Sequence, residues 1–417
     1  MKEAPRRFVH VEEATRRFGK AAVERGAHLL RQGDPLADAL VLAFEQLPPG
    51  TGSRMLDQAV RSGIETVEGA PEELIALFRE LDHVPYWVDE DALERGGELL
   101  FRSGWFGGLA LGASLLYGYG SAGGNKPLVF SGRLEQQTPR RLIETSRFVE
   151  ATCVPGGLRR FGEGFAATVH VRFMHAKIRR LILTSGRWSV EDWGVPANQH
   201  DMGATSLLFS AVVIDSLEKL GFDCQPEEVH LFMQLWRYSG YLMGVDPEIL
   251  PTSEREARRL IDFIATTESE PDDDSRKLAH AYFSAGDNPL RATEEEKRRA
   301  RRIVRVHQGI TRGVLGETLS DQLGVPKHGL RHLHPVLRAA VRRLEATRHA
   351  LPRPLRAVMH ASAVRQGRAF WAMLTRAAAS PITFAPPDGL VGVPLVSKDL
   401  RATKQARPRV EAAPRAR

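Results

Sequence analysis

In the stretch HVRFMHAKIRR, residues 170–180, a histidine stands at the centre of a pattern that is otherwise apolar and basic. Set on a helix, Val171, Arg172, His175, Ile178, Arg179 and Ile182 fall together through three- and four-residue spacings. An imidazole offers a neutral nitrogen lone pair to a metal and titrates near neutral pH. With aliphatics around it and an arginine about one turn to either side, His175 has what a haem needs: an axial ligand, an apolar wall for the porphyrin and cations for the propionates. A half-buried histidine bonded to a carbonyl, with both arginines solvated, fits the same pattern.

A second constellation lies upstream in TPRRLIETSRFVEA, where Arg141, Glu144, Thr145 and Phe148 fall on one helical stripe. A cation, a carboxyl and a hydroxyl in line can form the polar wall of a pocket. They can equally form an exposed face with an i,i+3 ion pair worth roughly 0.2–0.5 kcal/mol.

Other candidates are thinner. In NQHDM, His200 stands beside Asp201, and a loop containing Gly and Pro could bring both to His175 as the two-histidine, one-carboxylate set of a non-haem iron site. Asn198 and Gln199 are expected to tie down that loop. The histidines of RHLHP (331–335), His170 and His230 have no partner at ligand spacing and read as packing or surface residues. There is no phosphate loop, nucleophile elbow, dinucleotide fingerprint or Cys-x-x-Cys-His haem attachment motif.

The elements that must position these residues are helical. Apolar periodicity predicts helices over 71–81, 91–104, 138–153 (Thr138 as N-cap, Pro139 at the first helical position), 163–183, 206–221, 227–244, 334–350 and 355–379. TEEEKRRARR (293–302) is a capping box with acids leading and bases trailing, matched to the helix dipole. KPLVFSGRL (126–134) reads as strand, and ESEPDDDSRK (268–277) as a solvated acidic connector. GWFGGLALGASLLYGYGSAGGN (104–125) lacks charge, but its glycines favour a buried helix over a membrane span; Gly104, Gly108 and Gly112 would let a backbone or flat ligand approach. Expected organisation is an N-terminal helical extension (1–69), a core (70–250), a C-terminal helical layer (251–390) and a basic, disordered tail (391–417).

Over 417 residues, 42% hydrophobic and 26% charged content describe a globular chain able to enclose a cofactor. The net charge of +7 invites a nucleic-acid partner. Much of the excess, however, sits in 294–306 and 401–417 without any nucleic-acid-binding signature, so none is expected. Two cysteines, Cys153 and Cys224, suit a reducing compartment. Two Arg-Arg-Phe triplets near the start are not followed by an apolar run, so export is not expected and the expected location is cytoplasmic.

RLIET, with the histidine of VRFMHAKIR 34 positions after its arginine, resembles the latex clearing protein family of b-type haem rubber oxygenases and the related MpaB-type oxygenases. VPYWVDEDAL, WGVPANQHDM and LWRYSGYLMGVDPEILP extend the resemblance as an ordered set over roughly 70–250. The resemblance implies an all-α, globin-like haem-binding core with additional N- and C-terminal helices. It implies non-covalent haem b with His175 as proximal iron ligand, Arg172 and Arg179 at the cofactor, and Arg141, Glu144 and Thr145 as catalytic residues on the distal side. The implied reaction is cleavage of an isoprenoid double bond by O2, giving an aldehyde and a ketone, with an unnamed electron donor. Phe148 and the glycine-rich segment would wall an apolar channel for the alkene.

One departure bears on substrate. Rubber oxygenases carry a lysine, itself able to ligate iron, where this chain has Glu144. A carboxyl there could ligate ferric iron, take an allylic proton or pair with Arg141. With no export expected either, a smaller isoprenoid or unsaturated lipid fits better than polymeric rubber. Two other classes share parts of the pattern: a haem protein with peroxidase or gas-sensing activity, and a cofactor-free helical protein docking its basic segments on an acidic partner.

Overall fold

Helical periodicity carries through to the tertiary structure. The computed structural model describes residues 4–130, 134–285 and 293–376, without the side chains of 134–137 and 376. Among these residues every regular element is an α- or 3-10 helix, and the all-α expectation holds. The expected tail lies outside the described residues.

Capping chemistry sets several helix starts. Asp34 accepts from the Ala37 N–H ahead of Pro35–Glu45, with Pro35 at the first position. Thr293 and Glu296 form the reciprocal capping box that opens Glu294–Leu315. The long amphipathic segment is the helix Glu163–Thr184, and the one upstream is Leu134–Cys153. The latter begins a turn earlier than Thr138 suggests, so Pro139 sits inside it rather than at its start.

Three further expectations are corrected. The run read as strand belongs to the helix Ala122–Val129, which Ser121 caps by accepting from Gly124 N–H; residues 131–133 lie outside the described set. Lys126 of that helix reaches Asp272 at 2.6 Å and Asp274 at 2.7 Å, an attachment no local pattern announces. Those aspartates are the expected solvated connector; Asp272 caps the helix Asp273–Ser284. The helix predicted over 206–221 is two, Gln199–Phe209 and Ala211–Leu220, broken at Ser210 (ψ −94°), where the Ser114 hydroxyl claims the Leu208 carbonyl.

The charge-free stretch forms the helix Trp105–Gly118, packed on the two helices just named. Of its spaced glycines only Gly112 serves a close approach: a Cβ there would lie 1.9 Å from the Tyr282 hydroxyl, whereas Gly104 and Gly108 face open space. Among the described residues no single helix is long and apolar enough to cross a membrane. The main hydrophobic core draws from Ala37 through Phe165 and Trp236 to Trp371, so residues from the N-terminal extension and the C-terminal layer pack into it.

Candidate functional site

The helices Leu134–Cys153 and Glu163–Thr184 pack against each other, and the latter also contacts Pro35–Glu45 and Pro226–Leu242. Beside them lies a cavity of about 1010 Å³, lined mainly by apolar side chains. His175 lines it, with Val171, Met174, Ile178, Leu181 and Ile182 from the same helix. Arg141, Glu144, Thr145 and Phe148 line it from the neighbouring helix. The two constellations therefore share one chamber.

His175 Nδ1 is buried and has no hydrogen-bond partner. Burial, helped by the Arg179 charge, depresses the imidazole to about 4, so it is neutral at physiological pH with a lone pair to offer. Neither Arg141 nor Thr145 has a hydrogen-bond or ion-pair partner among the described residues, although Ser146, next in sequence, bonds back to the Leu142 carbonyl at 2.9 Å. Arg141 acts on Tyr119: burial raises the Tyr119 hydroxyl, and the guanidinium pulls it the other way. Glu144 pairs with Arg140 Nε at 2.9 Å, one turn back, and not with Arg141. The guanidinium thus stays available to the cavity while the carboxylate is drawn toward a more exposed arginine.

Phe148, Phe209 and Trp236 form an aromatic wall, with Trp236 stacked on Phe209 at 5.0 Å between centroids and 16° between planes. Tyr238 and Tyr241 pack on Trp87 instead and do not line this chamber. From the glycine-rich segment it is the end, from Leu115 to Asn125, that contributes wall, and not Gly104, Gly108 or Gly112.

Arg172 and Arg179 do not line the cavity, contrary to the expectation that they face a cofactor. At 100° per residue they lie roughly 100° around the helix from the centre of the His175 stripe, a rotation that three-and-four spacing blurs. Arg172 is buried, with Nε 2.6 Å and Nη2 3.0 Å from Asp34 and Nη1 2.8 Å from Glu80. Gly244, at φ +77°, makes room for the pair: a Cβ would come within 2.4 Å of Asp34 and 2.5 Å of Arg172. Arg179 pairs with Asp38 and donates to the carbonyls of Pro196 (3.1 Å) and Ala197 (2.7 Å). Ala197 lines the chamber at φ +48°, so Arg179 holds a cavity loop in a strained shape.

Asn198 and Gln199 tie the same loop, as expected. Asn198 accepts from Asp201 N–H at 2.9 Å, and Gln199 donates to the carbonyls of Gly33 and Gly244 at 3.0 and 2.9 Å. The His175/His200/Asp201 metal set does not assemble. Among the described residues the group with ligand atoms within 4.8 Å of one another is His200, Asp201 and Glu268. Arg7, 1% exposed, already fills the cationic role there, at 2.8 and 2.9 Å from Asp201 and 2.6 Å from Glu268. Burial works against the Asp201 charge, yet Arg7 holds its carboxyl far below the usual carboxylate range. Sequence reading missed this ion cluster, although Asp201 and Glu268 border the chamber; its arginine belongs to the first Arg-Arg-Phe triplet. His334 of RHLHP donates to the Lys219 carbonyl at 3.0 Å, and His170 lies 3.5 Å from Asp57.

Three comparisons bear on this chamber. The profile of the family described as ER-bound oxygenase mpaB/B'/Rubber oxygenase, catalytic domain, matches residues 100–346. That match runs further toward the C-terminus than the sequence motifs, which end near 250. The rubber oxygenase of Streptomyces sp. (strain K30) is 23% identical over 207 residues, 48% of this chain and 49% of that protein, so the chain spans about half the length of the curated relative it matches. A solved structure of latex clearing protein in the closed state superposes with a TM-score of 0.55 at 20% identity, covering 81% of this chain and 89% of the other. The likeness is one of fold.

Proposed function

Because the chain belongs to the MpaB/rubber oxygenase catalytic-domain family, we propose that it is a haem b-dependent oxygenase that uses O2 to cleave a carbon–carbon double bond of an isoprenoid or other unsaturated lipid. The observation that carries this reading is the convergence of His175 with Arg141 and Thr145 on one large apolar chamber. The residues present fit a haem. The orphaned His175 imidazole is neutral and needs a partner, and the chamber is at the top of the roughly 300–1,000 Å³ range of small-molecule sites, leaving room for an apolar substrate beside a prosthetic group.

Haem, when bound, supplies the binding and activation of oxygen. His175 would hold it through a lone pair that protons do not contest at neutral pH. Arg141, unpaired and at the chamber wall, answers negative charge that develops on oxygen as the alkene reacts. Thr145 has a free hydroxyl with which to orient that oxygen. The aromatic and aliphatic walls exclude water and take an uncharged alkene without a polar contact. Glu144, paired with Arg140 at the chamber wall, is the available acceptor for an allylic proton. One alkene and one O2 account for both carbonyl products, a ketone and an aldehyde.

Titration of the purified protein with haemin tests the reading. A Soret band saturating near one haem per chain, with a haem b pyridine haemochrome and oxygen-dependent carbonyl products from squalene, is the expected result. A protein that stays colourless refutes it. In the loaded protein Arg141→Leu should leave haem stoichiometry and stability unchanged and lower turnover about 10²–10³-fold, the usual effect of losing one charge-stabilising donor. Undiminished turnover would remove Arg141 from the chemistry.

A further inference from the structure

The C-terminal helices Leu333–Ala350 and Arg353–Arg376 follow one another across a turn at Leu351 and Pro352 as an open hairpin, the first packing on Glu294–Leu315 and Ala211–Leu220 and the second on Glu98–Arg102 and Leu134–Cys153. One face of the hairpin packs inward: His334, Val341, Glu345, Arg348 and, on the second helix, Val364 and Trp371 are buried. The other face is uncovered and carries large aliphatics among its arginines. On the first helix Leu333, Val336, Ala340 and Leu344 recur at three- and four-residue spacing, with Val336 67% and Leu344 56% exposed. On the second, Leu355 is 56% and Val358 68% exposed. At 1.5 Å per residue Leu344, Leu355 and Val358 all lie within about 10 Å of the turn, so the hairpin tip carries large aliphatics in the open.

Charge decides what covers them. Residues 333–376 contain nine arginines and a single carboxylate, Glu345. Glu345 is buried and consumed by Arg102 at 3.2 Å and Arg348 at 2.9 Å. The guanidinium groups of Arg342, Arg343 and Arg353, exposed around the tip, have no ion-pair or hydrogen-bond partner among the described residues. A second copy of the chain would set this cationic face against its equal. Residues 377–417 carry seven bases and three acids, again the same sign. A nucleic acid would satisfy the arginines and leave the aliphatics in water. A surface both anionic and apolar satisfies both, with arginines at the headgroups and leucines just beneath. We propose that the hairpin tip docks the protein on anionic lipid bilayers, peripherally and without spanning them. The proposal does not depend on haem or on the reaction.

The test is flotation of the full-length protein with vesicles of phosphatidylcholine alone and of phosphatidylcholine with about one third phosphatidylglycerol, at roughly 0.1 M salt. The protein should partition onto the anionic vesicles and be released by raised salt. Leu355→Ser with Val358→Ser, which leaves every base in place, should weaken partition at least about tenfold, since each exposed aliphatic transferred from water contributes. Arg342→Gln with Arg343→Gln should weaken it about 25-fold, roughly fivefold per arginine at an anionic surface. Both pairs are exposed, and unchanged helicity by circular dichroism confirms an intact fold. Equal binding to neutral vesicles, no binding to either, or full binding by the Leu355/Val358 variant overturns the proposal. So does a sedimenting dimer, or a tight duplex-DNA complex, that this variant abolishes.

Discussion

His175→Ala should yield a folded protein that no longer retains haem. The side chain lines a chamber and is not interdigitated in the core, so truncation enlarges an existing space instead of opening a new void. It also removes a desolvated imidazole whose Nδ1 has no partner, so little stability is at stake. What disappears is the buried, unpartnered imidazole of the chamber wall; the other histidine that lines the chamber, His10, is exposed. The remaining hold on a porphyrin would be burial of its flat faces, without the iron bond. Haemin titration should therefore show a broad, non-saturating Soret absorbance in place of a stoichiometric end point, with the melting profile of the haem-free protein unchanged. Added imidazole should partly restore a sharp band by occupying the vacated space. A variant that saturates at one haem per chain with the parental spectrum would show that His175 is not the axial ligand.

That the His175 and Arg141 stripes, picked out in sequence, line one chamber has a physical reason. A cavity wall on a helix is an apolar stripe interrupted by the few groups that act on the ligand, and period 3.6 exposes the interruption. Thr145 and Phe148 follow from Arg141 by the same arithmetic. What stayed hidden depends on contacts between residues far apart in the chain. The partners of Arg172 and Arg179 are Asp34 and Asp38, about 140 positions away, on a helix with no feature that marks it as an ion-pair acceptor. The Arg7 cluster joins the first residues of the chain to Glu268. The helix at 122–129 is an eight-residue run with an internal proline, too short for periodicity to separate it from a strand, and its anchors are Asp272 and Asp274. An arginine beside a cavity-lining histidine looks the same in sequence whether it faces the cavity or the helix behind; only a rotation of roughly a quarter turn distinguishes them.

That rotation has a measurable consequence at Arg172. Arg172→Leu should destabilise the haem-free fold by about 3–5 kcal/mol, the usual penalty for removing one partner of a buried pair. Nearly all of it falls on Asp34, whose side chain is 4% exposed and loses both guanidinium contacts; Glu80, 38% exposed, can rehydrate. Adding Asp34→Asn should recover much of the loss, because the uncompensated charge is gone and asparagine still caps the helix that Asp34 begins. Arg179→Leu should be milder, about 2 kcal/mol as for lost hydrogen bonds to a charged group, since Asp38 is 36% exposed. Urea denaturation of the four haem-free proteins gives this ordering directly. Haemin affinity of the folded Arg172→Leu protein should match the parent. The opposite pattern, intact stability with weakened haem binding, would return Arg172 to the cofactor and require the guanidinium to swing away from Asp34 when haem enters.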